Sequence, residues 1–258
     1  MRLFPELDLG RRRFLKAAGL TGAGVAGLMF VGGQLVTASG AAVTDADILN
    51  FALNLEYLEA EFYSYATTGQ GISASLFTGA GAQGATTGGA AVTFDTTTKT
   101  KSVANEIAQD ELDHVTFLRN ALGSAAVAKP VINLAALTAM GGQASFLEVA
   151  RAFEDTGVTA YAGAAPLLQS KTYLQAAAQI FATEALHSGN VRKLCVEQGT
   201  PQVTLDSEDV PPSASQYFSV SDTSGLVATR TTAQVLAIVY GGPAPGAFFP
   251  AGMNGTIK

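Results

Sequence analysis

Apolar residues recur three and four positions apart in four long stretches of this chain, the period of a helix with one buried face. The first stretch runs from about Ala46 to Ala66 through Ile48, Leu49, Ala52, Leu55, Leu58 and Phe62, with Thr44-Asp45-Ala46-Asp47 placed to cap it. The second spans about Lys101 to Leu122 and meets Gly123, a residue suited to ending a helix. The third spans about Ala144 to Ala164, where Pro166 interrupts it. The fourth spans about Lys171 to Glu197 and is followed by Gly199. A shorter fifth runs from Thr231 to Tyr240, capped by Thr231 or Thr232 and stopped by Gly241-Gly242-Pro243. Between the first two stretches, residues 67–100 are rich in Gly, Thr, Ala and Ser and show no helical period. They are expected to form an ordered insertion, with a short hairpin around Ala91 to Phe94.

The lengths of the links order these helices. A short link between the third and fourth makes them antiparallel neighbours. The long link at 124–142 has room to return along the bundle, so the second and third run parallel. The expected fold is all-α, a four-helix bundle with one long crossover. The chain then divides into a leader (1–42), a bundle with its insertion (43–200) and a Ser-, Pro- and Asp-rich extension (201–258). The extension is expected to pack on the bundle, with Phe248-Phe249-Pro250 as a docked loop.

Composition sharpens this picture. Apolar residues make up 48% and charged residues 14% of the 258, which suits a well-buried core and argues against disorder. The net charge is −6, yet five of the fifteen basic residues, Arg2, Arg11, Arg12, Arg13 and Lys16, lie in the leader. The remainder is acidic and has no basic stripe for nucleic acid. Cys195 is the sole cysteine, so no internal disulfide forms, and it is expected to be a small buried hydrophobe.

The candidate chemistry lies in the only two histidines. Each follows a glutamate by three residues, as Glu111-Leu112-Asp113-His114 and Glu184-Ala185-Leu186-His187. Three residues apart on a helix means one face, so each pair can present one oxygen and one nitrogen to a cation. The first and third helices carry a second repeat. Glu56 is followed seven residues later by Tyr63, and Glu154 seven later by Tyr161. Each tyrosine lies two turns from its glutamate on one face, placed to hydrogen-bond a carboxylate across the bundle. The candidate metal ligands are Glu56, Glu111, His114, Glu154, Glu184 and His187. Four buried carboxylates repel one another, and two divalent cations cancel their charge. Oxygen-rich ligation with one imidazole per ion favours two iron or two manganese ions over zinc.

Alternatives stay open at several positions. Glu59 also points inward and competes with Glu56, although its counterpart in the third helix is Gly157. Glu61 falls off that face and is expected in solvent. Tyr63 and Tyr161 are candidate catalytic residues or plain core. Asp110 and Asp155, each beside a ligand, either orient a histidine or lie exposed. Arg119 and Arg192 each follow a histidine by five residues, as if the second and fourth helices were copies of one unit.

Residues Arg11-Arg12-Arg13-Phe14-Leu15-Lys16 resemble the twin-arginine export signal. An uncharged stretch from Ala17 to Val36 follows, then the small residues Ala38-Ser39-Gly40-Ala41-Ala42, where a signal peptidase can cut. The resemblance implies a prokaryotic source and export of an already folded protein to a periplasmic, extracellular or cell-envelope location. Membrane contact is expected only through this segment, if it is left uncleaved.

The body resembles the ferritin-like superfamily. Within it the closest likeness is to a ferritin-like family of exported bacterial proteins and plant desiccation-related proteins. The likeness rests on Asn54-Leu55-Glu56-Tyr57-Leu58-Glu59-Ala60-Glu61-Phe62-Tyr63, Asp110-Glu111-Leu112-Asp113-His114, Glu184-Ala185-Leu186-His187 and, in the tail, Arg230-Thr231-Thr232-Ala233-Gln234-Val235-Leu236. It implies redox chemistry on dioxygen or peroxide as ferroxidase, peroxidase or catalase. The lack of rubredoxin-type cysteine pairs excludes a rubrerythrin with its own electron relay. The alternative is a non-catalytic, metal-stabilised envelope or stress-protection protein. A homo-oligomer is compatible with either.

Overall fold

The computed structural model describes residues 28–31, 34–37, 42–136, 142–221 and 223–258. The arginine motif at 11–16 and the small residues at 38–41 lie outside the described residues. In the leader, strand β1 (Leu28–Val31) pairs antiparallel with β2 (Gln34–Thr37). Among the described residues, no helix is long and apolar enough to cross a membrane.

Residues 44–258 form the second unit. Helix α1 spans Asp45–Thr68, α2 Thr100–Leu122, α3 Gln143–Ala164, α4 Lys171–Glu197 and α5 Thr232–Tyr240. Each start follows from local chemistry. The Thr44 hydroxyl accepts from the Asp47 backbone N–H while Asp47 accepts from that of Thr44, a reciprocal capping box. Thr231 and Gln234 repeat the device at α5. Gly69 and Gly241 end α1 and α5 in the left-handed conformation that suits glycine.

Cross-links between helices give their directions. On α1 and α3, residues 56 and 63 bond residues 161 and 154 respectively, so the two are antiparallel. On α2 and α4, residues 110 and 114 meet 187 and 184, so they are antiparallel too. With the short link making α3 and α4 antiparallel, α2 and α3 run parallel. This is the all-α, single-crossover bundle expected from the links.

The hairpin expected around Ala91 to Phe94 does not form. Instead the insertion pairs in parallel with the crossover. Strand β3 (Thr86–Thr87) joins β4 (Ile132–Asn133), and isolated bridges join Ala80 to Val127 and Thr93 to Gly142. The reason is close backbone approach. A Cβ at Gly79 would lie 2.4 Å from the Ala126 carbonyl oxygen, and one at Gly84 would lie 2.3 Å from the Val131 nitrogen. The small residues that look featureless in sequence let two connecting segments lie against each other and satisfy each other's backbone groups.

The tail does pack on the bundle, held by buried arginines. Arg151 reaches Asp209 at 2.8 Å and Gln202 at 2.8 Å. Arg192 donates to the carbonyls of Tyr217 and Val210 at 2.6 and 2.8 Å. Arg230 binds Asp206 and the Thr159 hydroxyl. At the end of the chain, Phe248 packs edge-on against Phe153 of α3. Asn254 bonds Asn54 on α1, Ala82 in the insertion and Ala128 in the crossover.

Candidate metal centre

The helical period turns six side chains to one place. On α2, Ala104, Ile107, Glu111, His114 and Leu118 are buried in one seam. On α4, Ala177, Ile180, Glu184, His187 and Val191 form its counterpart. Helices α1 and α3 add Glu56 and Glu154, both fully buried.

These residues form two overlapping groups, Glu56-Glu111-His114-Glu184 and Glu111-Glu154-Glu184-His187. Within each, one donor atom from every residue lies within 4.8 Å of the others. Glu111 and Glu184 belong to both. His114 Nδ1 is 3.1 Å from Glu56 Oε2, 3.3 Å from Glu111 Oε2 and 3.4 Å from Glu184 Oε1. His187 Nδ1 is 3.0 Å from Glu111 Oε1 and 3.4 Å from Glu154 Oε2.

The donor set fits a cation. Glu111 Oε1, Glu154 Oε2, both oxygens of Glu184 and His187 Nδ1 are buried without a hydrogen-bond partner among the described residues. Each such atom costs about 1–3 kcal/mol when nothing satisfies it. Five at one point, each able to offer a lone pair once any proton is lost, are what a positive ion would satisfy together.

Proton affinities agree. Burial pushes the Glu184 and Glu59 carboxyls well above the usual range, and neighbouring carboxylates push further. Burial likewise brings Glu111 up to about 7. Burial would raise Glu56 too, but the His114 imidazolium beside it holds its carboxyl lower than usual. Burial works against charge on both imidazoles. For His114 the Glu56 charge outweighs it and raises the ring. For His187, Glu111 and Glu154 outweigh it and carry the ring up to about 12. Without a cation, the centre keeps protons in its place.

The tyrosines bond the outer carboxylates crosswise. Tyr63 donates to Glu154 Oε1, and Tyr161 donates to Glu56 Oε1 at 2.5 Å. Burial, then the adjoining carboxylates, raise both phenols, so both stay protonated donors. Asp110 Oδ2 holds the outer Nε2 of His187 at 3.0 Å. Asp155 is neither exposed nor on a histidine. It accepts from Arg192 and from Ser188, both at 2.6 Å, because one residue beyond Glu154 lies about 100° round the helix. Glu59 is buried but belongs to neither group.

Glu61, expected in solvent, is buried, and its Oε1 lies 3.4 Å from Lys129 Nζ in the crossover. The sequence held no signal for this pair, since Lys129 falls in an irregular segment with no period. Cys195 is buried, and burial pushes its thiol up to about 12, as suits an inert core residue.

Residues 44–197 match the family model described as a ferritin-like domain. The chain belongs to the ferritin-like domain family. The match runs from the Thr44 cap through the last residue of α4, so it takes in the whole ferritin-like bundle and both acidic groups. Curated proteins give no match.

Proposed function

We propose that the bundle holds two iron or manganese ions and acts on dioxygen or peroxide outside the cytoplasm. The sharing of Glu111 and Glu184 by two otherwise separate groups carries this reading. It supports two neighbouring cation positions with common carboxylates, Glu56 and His114 completing one, Glu154 and His187 the other. Four carboxylates offset two divalent ions, and one imidazole per ion with oxygen elsewhere suits iron or manganese.

Bound ions of this kind would supply one-electron steps between their +2 and +3 states. The chain's own residues do the rest. Tyr161 and Tyr63 fix one oxygen each of Glu56 and Glu154 and leave the other free for ligation. Asp110 sets the ring plane of His187 and directs its Nδ1 inward. The surrounding seam excludes bulk water. The arginine motif at 11–16 supports export by the twin-arginine route.

The test is anaerobic loading with Fe(II) or Mn(II), followed by oxygen or peroxide while near-ultraviolet absorbance is recorded. Oxidation of the ions with consumption of the oxidant is the expected result. One observation favours a second reading, in which the ions only hold the helices together: His114 and His187 are 8% and 5% exposed and the four glutamates 0%. Retained metal with neither oxidation nor loss of oxidant would select it.

A further inference from the structure

A small cavity lies where the start of α1 meets the end of α3. Phe51, Ala52 and Leu55 bound it on α1, Tyr161 and Ala164 on α3, and Leu168 just beyond α3. Every side chain of its lining is apolar except the Tyr161 phenol, and that hydroxyl donates to Glu56 Oε1. Tyr161 is thus the wall between the cavity and the candidate metal centre. The lining is buried except at Ala52 and Ala164, which are half-buried and form the mouth.

Size and polarity limit what can enter. The cavity leaves about 20 Å³ to the centre of a water-sized sphere. One such molecule needs roughly 10–15 Å³ of this measure. A single di- or triatomic molecule fits, and a peptide side chain or an acyl chain does not. An ordered water takes about two to four polar partners, which this lining does not supply. A small apolar molecule needs none and gains by leaving water.

We propose that this cavity is a binding site for dioxygen, from which the gas reaches the centre past Tyr161. The assignment rests on the oxidant chemistry proposed above and narrows it, because dioxygen is the apolar one of the two oxidants. Peroxide carries hydroxyl groups that this lining would strip of hydrogen bonds. The polar edge of the centre is between α2 and α4, where Asp110 bonds His187 and has a side chain 40% exposed. Ions and peroxide approach there, so the two oxidants take different routes.

The first test needs no metal. Xenon is an inert apolar probe, and crystals of the full-length protein under xenon pressure should hold one atom in this cavity. Ala164→Leu fills the mouth with a good helix former and should lower that occupancy roughly fivefold or more. The second test uses protein loaded anaerobically with Fe(II). In Ala164→Leu the second-order rate of oxidation by dioxygen should fall roughly threefold or more, while the rate with peroxide changes less than about twofold. Wild-type crystals without xenon in the cavity overturn the assignment, whatever the metals do. So does an unchanged dioxygen rate in a variant that excludes xenon, and so does equal slowing with the two oxidants. Xenon bound in a wild type that consumes neither oxidant removes the redox reading instead, and the route to the centre with it. Ala52→Leu blocks the mouth from the α1 side and carries both tests if Ala164→Leu fails to fold.

Discussion

The two halves of the bundle, α1–α2 and α3–α4, offer the same ligands and surround them differently. Each half supplies one lone glutamate, one Glu-x-x-His pair and one tyrosine that reaches across to the other half. Beyond that the likeness stops. His187 has its outer nitrogen held by Asp110, while no described residue bonds that of His114. Arg192 is fully buried against Asp155 and two tail carbonyls, whereas Arg119, at the matching position, is half-buried and bonds Tyr57 and Thr78. Glu59 stands on α1 where α3 has Gly157. The ligands follow a repeat that both halves must obey to reach one point. The surroundings are free to diverge, and they make the two acidic groups inequivalent.

The largest expected asymmetry is in stability. Removing Arg192 takes from buried Asp155 its nearest cation and leaves Ser188 and the more distant Arg151 at 3.6 Å, so Arg192→Ala should cost about 3 kcal/mol in denaturant unfolding. Arg119→Ala should cost about 1 kcal/mol. Equal losses would mean that the two arginines are interchangeable after all.

Next comes the division of ligands between shared and separate. Glu111→Ala removes a residue common to both groups and should lower binding of both ions by more than roughly 100-fold, with elemental analysis finding neither retained. Glu154→Ala should release one ion and leave the other. Loss of both ions from Glu154→Ala would break the assignment of outer and shared carboxylates.

A smaller difference should separate the histidines. Asp110→Ala frees the outer nitrogen of His187 alone, so one ion should bind roughly tenfold more weakly and its partner be unchanged in a two-site Mn(II) titration. Equal weakening of the two would show that the centre responds as a unit.

The smallest effect concerns the tail on the α3–α4 side. The hydrogen bond from Arg230 holds the Asp206 carboxyl below its usual range. Because the folded value is the lower one, this contribution is complete above the unfolded carboxylate value and is lost as pH falls through the folded value. Hydrogen exchange in residues 203–210 should therefore quicken on acidification below the ordinary carboxylate range, before the bundle helices respond. Simultaneous exchange of tail and bundle would mean that the tail has no opening of its own.

Much of this was legible along the chain. Helix bounds could be read to within about two residues because caps, glycines and the apolar period are local signals. The six candidate ligands could be named from two repeats, since a spacing of three, or a common two-turn offset, fixes which face a side chain takes. Two misreadings have physical causes. The helical angle of Glu61 points to solvent, but solvent there is replaced by Lys129, which the crossover brings in from far along the sequence. Local sequence suggests a hairpin at 91–94, but the insertion finds its partner strand in the crossover.

The sequence by itself determined what depends on neighbours in the chain: where helices begin and stop, which face is apolar, and which carboxylates and imidazoles share that face. The tertiary structure alone decided what depends on distant segments meeting. It set that Glu111 and Glu184 are common to both groups, that Asp110 rather than Asp155 holds a histidine, and that the glycines at 79, 84 and 157 allow close approach of distant segments. Helical geometry is a property of consecutive residues, whereas the partner of a buried charge is whichever group the fold brings within a few ångströms, and spacing carries no record of that.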